Sequence, residues 1–400
     1  MQQKLQPIVK DLVLIGGGHS HAIALKMFAR KPLTGVRLTL ITAAKNTAYS
    51  GMLPGHIAGF YSHAECHIDL RPLANFAQAR LYIDKVVALD LENHKVLCAN
   101  GLVVDFDVLS IDIGSTPATV SVSGAAEYAI AAKPVSQLLE HWYELIEAVG
   151  KNPHEAIRIA IAGGGAGGVE LALSMESHLH RILRQTQQPI QNLEIHLFQR
   201  GKELMPNYHS SVRHQIQQIL TERGIKLHLG ETVCKVAPTP HSETKKIFEI
   251  KCESGLTLEC NKIFWVTQAS APEWLKSAGL GTDEQGFILV EDTLQSQTHA
   301  QIFAAGDIAT MVNHPRPKAG VFAVRQGKPL FENLQRILLG KSLKPYRPQK
   351  QYLSLIGTGD GRAMATRGII TLPPHKLLWR YKDWIDRRFM ERFHFEETRE

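Results

Sequence analysis

Cysteine is scarce: Cys66, Cys98, Cys234, Cys252 and Cys260 are the five in 400 residues, and no two lie close together. That spacing excludes a disulfide framework and a cysteine zinc site. No apolar run approaches the roughly 20 residues that a bilayer-spanning helix needs, and the N-terminal "MQQKLQPIVKD" has no apolar signal core. A cytoplasmic place is therefore expected, with peripheral contact at the inner face of a membrane as its variant. Charge is nearly balanced: 45 Lys plus Arg stand against 38 Asp plus Glu, a net +7. No dense basic stripe, zinc finger or aromatic RNA-binding signature occurs, which argues against nucleic acid. The mild excess suits anionic cofactors or an acidic membrane surface. One absence is local. No Asp or Glu occurs between Leu12 and Ala64.

Four hundred residues exceed one compact core, so two or three domains are expected. The first organised stretch is "LVLIGGGHSHAIAL", residues 12–25. Residues 11–15 read as a buried strand, 19–30 as a helix and 37–42 as a second strand, a βαβ opening. Short strands follow in 81–98 and 102–105, then another in "FDVLSIDIGSTP", residues 106–117. The opening pattern returns in "IRIAIAGGGAGGVELALSMESHL", residues 157–179, with a second strand at 193–199. The spacing marks a duplicated domain architecture, not a short-period repeat. A hairpin turning near Ser254-Gly255 is expected in 246–266, a buried strand in "QIFAAGD" (301–307) and a helix from about Gly320. The chain ends in a glycine-rich hairpin from Tyr346 and an aromatic-basic helix.

The second glycine turn is complete, with Gly163, Gly165 and Gly168. In such a turn the first glycine makes the bend, the second lets a pyrophosphate approach and the third lets the helix pack on the strand. The helix N-terminus then offers free N–H groups to the phosphates. The first turn keeps Gly16 and Gly18 and carries His21 third; His19 and Ser20 lie between. That exchange bears on helix–strand packing more than on phosphate contact. The ribose acid usual about 20 residues on is missing, and Thr42 or Asn46 must serve instead. In the second copy the strand ends at Gln199-Arg200. Arg200 suits a 2′-phosphate and thus NADPH, or is a solvated surface arginine.

Four landmarks in order, "GGGHSH" (16–21), "DVLSIDIGSTP" (107–117), "GGGAGGVELA" (163–172) and "IFAAGD" (302–307), give the chain a family likeness. It resembles the flavoproteins with two dinucleotide-binding domains, a superfamily that includes the pyridine nucleotide-disulfide oxidoreductases. The resemblance implies FAD at the first and last landmarks, which include Gly114 and Gly306, and NAD(P)H at the third. It implies that Asp307 bonds the ribityl chain or phosphate of FAD, and that Glu170 lies close to the nicotinamide. Glu170 is otherwise a first-turn glutamate favoured by the helix dipole. The paired cysteines of disulfide reductases are missing, and the chain looks more like the type II NADH:quinone oxidoreductases. "AYSGMLPGHIAGF" (48–60) resembles their loop near the isoalloxazine, with Leu53-Pro54 in place of a proline-leucine pair. The N-terminal end of the helix at Gly320, Val321 and Phe322 is expected by the flavin N1–O2 edge. Val321 and Arg325 stand where that branch carries two quinone-facing glutamines, which sets the chain apart from it.

A narrower likeness covers nearly the whole chain. "GGGHSHA", "YSGMLPGHIAGFY", "CHIDL", "KAGVFAVRQG", "YLSLIGTGDG" and "WIDRRFM" resemble the flavoprotein module fused to, or found beside, selenide, water dikinase. Its company implies a link to selenium metabolism.

The expected architecture is therefore α/β, with two Rossmann-like domains and a C-terminal α+β segment. The FAD domain is expected at 1–120 with 288–345, the NAD(P)H domain at 121–287 and the tail at 346–400. The implied activity is hydride transfer from NAD(P)H to flavin N5, then electron delivery to an acceptor such as a quinone. A selenium-linked reductase with another acceptor is the alternative, and a redox-sensing flavin-bearing interaction protein is a third reading. Glu170 and Pro54 are the residues nearest the chemistry. In the tail, Leu378, Tyr381, Ile385 and Phe389 are expected on one helical side beside arginines. Such a face lies in a membrane interface, or packs on its own protein or across a homodimer. No metal is expected: His19 and His21, two apart on a helix, do not face each other. Cys66 beside His67 reads as a structural cysteine, with an activated thiolate as the other reading.

Overall fold

The computed structural model describes residues 10–117, 122–239, 247–267 and 269–394. The N-terminal stretch read for a signal, the expected boundary at 120/121, Lys246 and Phe395 lie outside those residues.

Two parallel sheets organise the chain, one behind each glycine turn. The first runs in the order Ile302–Ala304, Val108–Ile111, Lys10–Ile15, Val36–Thr42, Arg80–Ile83. In chain order we label four of these strands β1 (Lys10–Ile15), β2 (Val36–Thr42), β3 (Val108–Ile111) and, later in the chain, β7 (Ile302–Ala304). The second sheet runs Ile130–Ala131, Lys262–Trp265, Ile157–Ala162, Leu193–Gln199, Lys226–Leu229. Its centre is β4 (Ile157–Ala162), flanked by β5 (Leu193–Gln199) and β6 (Lys262–Trp265). Leu12, Val13, Leu14, Ile159, Ala160 and Ile161 are fully buried, as expected where helices cover both faces of a parallel sheet.

Each turn feeds a long helix. Helix α1 spans His19–Arg30 and α3 spans Ala166–Gln185, with the short α2 (Leu53–Ile57) between them in the chain. Helix α4 (Gly320–Leu338) packs along α1, and α5 (Lys376–Met390) closes the tail. The expected helices at 19–30 and from Gly320 and the strand at 193–199 fall where their patterns put them.

Other segments differ. Within 81–98 the chain changes sheets: Arg80–Ile83 joins the first parallel sheet, while Val86–Asp90 and Lys95–Cys98 pair antiparallel, with Val103–Asp105 as third strand. The segment 106–117 breaks at Gly114, whose φ of +71° is left-handed, so Thr116–Pro117 pairs elsewhere, with Ala269–Ser270. Helix Val135–Lys151 carries its own signal in buried Leu138, Leu139, Trp142, Leu145 and Val149, spaced at helical period. The tail hairpin gains a third strand, Ile370–His375, despite Pro373 and Pro374. It is an edge strand, where a missing N–H costs little.

The tail helix corrects its expected face. Tyr381 is exposed and Phe389 buried, so Leu378, Tyr381, Ile385 and Phe389 do not form one packed side. The buried residues are Lys382, Asp386, Phe389 and Met390. Lys382 and Asp386, one turn apart, make a 2.6 Å ion pair with side chains 8% and 7% exposed. Because each partner satisfies the other, a charged pair takes the inward place that the pattern gave to apolar residues. Among the described residues no helix is long and apolar enough to cross a membrane.

Candidate functional site

At the first turn Gly16 has φ +92° and donates its N–H to Ile41 O at 2.8 Å. A Cβ there would overlap the Asp112 carbonyl, so this position needs glycine. Gly18 donates to that same carbonyl at 3.1 Å. His21, in the third place, is fully buried. Its Nδ1 lies 2.7 Å from Gly16 O and its Nε2 2.8 Å from Ser110 Oγ. A carbonyl only accepts, so Nδ1 carries the proton and Nε2 accepts from the serine hydroxyl. Burial pushes this imidazole down to about 4, which keeps it neutral. The departure from glycine is thus a bracket tying helix, turn and β3 together.

Around this turn His19 sits edge-on to Tyr49 at 5.5 Å, and its buried Nε2 has no partner. A buried polar atom left over in this way fits a bound polar group. The Ser20 hydroxyl is committed to packing, donating to Ala323 O on α4 at 2.7 Å. Thr42 is buried at the end of β2 and donates to Ala44 O at 3.1 Å. Thr47, not expected from the sequence, donates to Gly17 O at 2.6 Å.

The last landmark closes on the same place. Gly306 has φ +73° and donates to Gln326 Oε1 at 2.7 Å. Asp307 accepts from Lys133 Nζ at 2.8 Å, and Lys133 also reaches Ser115 Oγ at 2.9 Å. A cleft beside them is lined by Gly306, Asp307, Lys318, Phe322 and Gln326. Lys318 Nζ donates to Ala309 O at 2.7 Å and Thr310 Oγ1 at 2.9 Å, and burial lowers its ammonium to about 8. Helix α4 begins here without a side-chain cap; the Phe322 N–H donates to Ala319 O at 3.0 Å, and those of Gly320 and Val321 are left for other acceptors. Arg325 is exposed.

At the second turn Gly163 has φ +122°, and a Cβ there would stand 2.6 Å from Val266 O. A Cβ on Gly168 would overlap the Gly163 carbonyl, whereas one on Gly165 would meet nothing within 4 Å. The first and third glycines are thus dictated by packing, and the second leaves room for phosphates above an uncapped helix. Gln199 Oε1 accepts the Gly164 N–H at 3.0 Å, and Arg200 is exposed beside it.

Between the turns lies a third group of residues. Glu170 on α3 accepts the Gly357 N–H at 2.8 Å. Desolvation pushes its carboxyl up to about 6, against the opposing pull of Lys382. Lys382 also bonds the Gly51 carbonyl, so the tail helix holds the loop that leads to Pro54. Pro54 is the second residue of α2, and His178 Nδ1, on α3, bonds Ile57 O at 2.6 Å. Asp112, Lys133, Lys318, Lys382 and Asp386 were not singled out in the sequence. Only the i,i+4 spacing of Lys382 and Asp386 is a local signal.

Cys66 is buried and its thiol is pushed up to about 12, with Sγ 3.3 Å from His67 Nδ1. A protonated thiol is a poor nucleophile, which favours the structural reading. His63 and His67 stack at 3.7 Å. Among the described residues no three His, Cys, Asp or Glu gather as metal ligands.

Two parallel sheets, each ending in a glycine turn that leads into a helix without a side-chain cap at its N-cap residue, define a two-dinucleotide protein. The family model described as pyridine nucleotide-disulphide oxidoreductase matches residues 10–327, and the chain belongs to that family. The demethylphylloquinone reductase NdbB of Synechocystis is 26% identical over 312 residues, covering 74% of this chain and 71% of its own. The NADH dehydrogenase-like protein YutJ of Bacillus subtilis is 22% identical over 393 residues, 94% of this chain and 99% of its own. The solved sulfide:quinone oxidoreductase of Aquifex aeolicus shares the fold, with TM-score 0.76 at 18% identity over 96% of this chain and 91% of its own. The chain is an FAD-dependent NAD(P)H oxidoreductase of the type II NADH dehydrogenase-like kind.

Proposed function

We propose that this enzyme passes electrons from NAD(P)H to a quinone that reaches it from a membrane surface. One observation carries the reading. The tail exposes Ile369, Ile370, Leu372, Leu377, Tyr381 and Trp384 within 16 residues of chain, on the hairpin and helix that also enclose Glu170. Exposed Lys376, Arg380 and Arg388 accompany them, and Arg388 lies over the Trp384 ring at 5.2 Å. An apolar surface with basic and aromatic residues beside it suits an anionic bilayer interface. Relatives named for quinone reduction support the same acceptor class.

In this reading FAD belongs to the segments 1–120 and 288–345, NAD(P)H to 121–287, and the tail 346–400 forms the surface contact. Gly16, Gly18, His19 and the α1 N-terminus face the pyrophosphate of FAD. Thr42 takes its ribose, and Gly114 leaves its approach open. Asp307 takes the ribityl side, and the free N–H groups of α4 meet the flavin ring. Gly165 admits the phosphates of NAD(P)H, and Arg200 takes a 2′-phosphate. Bound at the first turn, FAD would supply the hydride acceptor and the onward electron transfer. Glu170, near neutrality in its titration, holds or releases the proton that a quinone takes up.

The test uses the holoprotein with NADH or NADPH, first with a short-chain quinone in solution and then with a long-chain quinone in anionic vesicles. Quinone-dependent oxidation is expected in both. An I370S/L377S/W384S variant should lose at least fivefold of the vesicle rate and keep the solution rate. Rapid flavin bleaching by the nicotinamide with no acceleration by any quinone would overturn the reading. The likeness to the selenide, water dikinase-associated module would then favour a selenium-linked acceptor.

A further inference from the structure

The two glycine turns of this chain are internal controls for each other. In the first sheet Ile15 lies opposite Ile111; in the second Ala162 lies opposite Trp265. The next residues, Asp112 and Val266, therefore hold the same place. Each donates its N–H one strand back, to Ile15 O and to Ala162 O, both at 2.8 Å. Each sets its carbonyl against the first glycine of its turn. At the second turn the side chain is apolar, and the space over Gly165 is open. At the first turn the side chain is an acid, and it fills that space. A Cβ on Gly18 would overlap its carboxyl, and so would one on Gly306.

The Asp112 residue is 2% exposed. Its Oδ2 accepts the His21 N–H at 3.1 Å, a free donor of the α1 N-terminus. Among the described residues no lysine or arginine pairs with it. The carboxyl thus sits where the helix would otherwise meet a phosphate, inside the cradle formed by the first and last landmarks.

We propose that Asp112 has to be a neutral acid for the pyrophosphate of FAD to seat on the α1 N-terminus, so that FAD binding takes up a proton from solvent and weakens as pH rises. The inference rests on FAD belonging to the first turn. A carboxylate and a pyrophosphate are like charges and compete for one set of N–H donors and one helix dipole. A carboxylic acid in the same place keeps an O–H to donate to a phosphate oxygen. No covalent step is involved; the proton comes from water and returns to it when FAD leaves.

Burial pushes this carboxyl up to about 7, against the opposing pull of hydrogen bonds from His21 and Ser20, and the charge of Asp307 adds to the rise. The exchange therefore falls in an accessible range. The neighbouring groups divide cleanly. On α1, His19 and His21 are both held down at about 4 and stay neutral above pH 6. The Ser20 hydroxyl does not titrate. Asp307 is paired with Lys133. Lys318, lowered to about 8, faces Asp307 from the other side of the cleft and loses charge only at the alkaline end.

The full-length holoprotein, diluted at pH 6, 7 and 8 at constant ionic strength, releases FAD that flavin fluorescence measures. The expected dissociation constant rises about tenfold from pH 6 to pH 8, the signature of one linked proton. D112N should abolish most of that rise and bind FAD more tightly than the parent at pH 8, while any slope from Lys318 persists in both. D112S serves the same purpose if the asparagine variant does not fold, as judged by circular dichroism. A flat parent profile, or an unchanged slope in the folded variant, overturns the proposal while FAD binding stands. Protein that holds no FAD even at pH 6 overturns the first-turn reading and the proposal with it.

Discussion

The carboxylate of Glu170 accepts the backbone N–H of Gly357 at 2.8 Å, joining the helix after the second glycine turn to the tail hairpin. A single acid thereby links the second-turn helix to the tail. Its raised value of about 6 places its titration just below neutrality. It is neutral below that value and charged above it. Turnover with a quinone is expected to inflect near pH 6. E170Q should remove the inflection and slow quinone-dependent turnover by about 100-fold, with FAD content unchanged. A pH–rate profile from 5 to 8 checks this; an inflection that survives in E170Q would assign it to another group.

His19 and His21 make the fold sensitive to acid. Both are lowered to about 4 in the folded protein, from an ordinary value near 6.5. The unfolded chain therefore takes up their protons first as pH falls. The stability they contribute is fully present above pH 6.5 and is lost on the way down to 4. The loss is at most about 1.4 kcal/mol per pH unit for each histidine. The raised carboxyls of Asp112 and Glu170 act in the opposite sense over the same range, so the histidine contribution is read as the difference in urea-midpoint pH dependence between the parent and H21A from pH 7 to 5. H21A should cost about 2–4 kcal/mol by stranding Gly16 O and Ser110 Oγ beside a cavity, and should shallow the acid slope. A parent and a folded H21A with the same pH dependence between 7 and 5 would contradict the neutral, buried state.

The glycines of the second turn should separate folding from binding. G168A forces a Cβ into the Gly163 carbonyl and should lower melting temperature and soluble yield. G165A points into open space and should fold normally. It should raise the KM for NAD(P)H about tenfold, because the backbone no longer admits the pyrophosphate closely. Thermal melting and steady-state kinetics of the two variants decide this. A stable G168A protein with unaltered KM would refute the packing argument.

The glycine spacing at 16–18 and 163–168 was readable because a βα turn is local: strand, bend and helix start lie within ten residues. The helices at 19–30 and from Gly320 were readable for the same reason. The second turn's third glycine is dictated by its own backbone, so its spacing alone carries the information. His21 is the instructive exception. As a missing glycine it weakens the motif on paper, yet Ser110, 89 residues away, gives its imidazole a partner. The switch of sheets between Arg80–Ile83 and Val86–Asp90 has no comparable local mark, since both segments read as short strands.

What the amino-acid order determined by itself was periodicity and punctuation: two dinucleotide turns, their strands and helices, and the duplicated plan, all set by near-neighbour sterics and burial. Only the tertiary structure decided that β7 lies beside β3, which put Asp307 in the cradle of the first turn, that Asp112 fills that cradle, and that Lys382 and Asp386 face inward. These placements depend on contacts across tens to hundreds of residues. At Asp307 the desolvation of a charge is offset by Lys133, a partner 174 residues away that no local pattern announces.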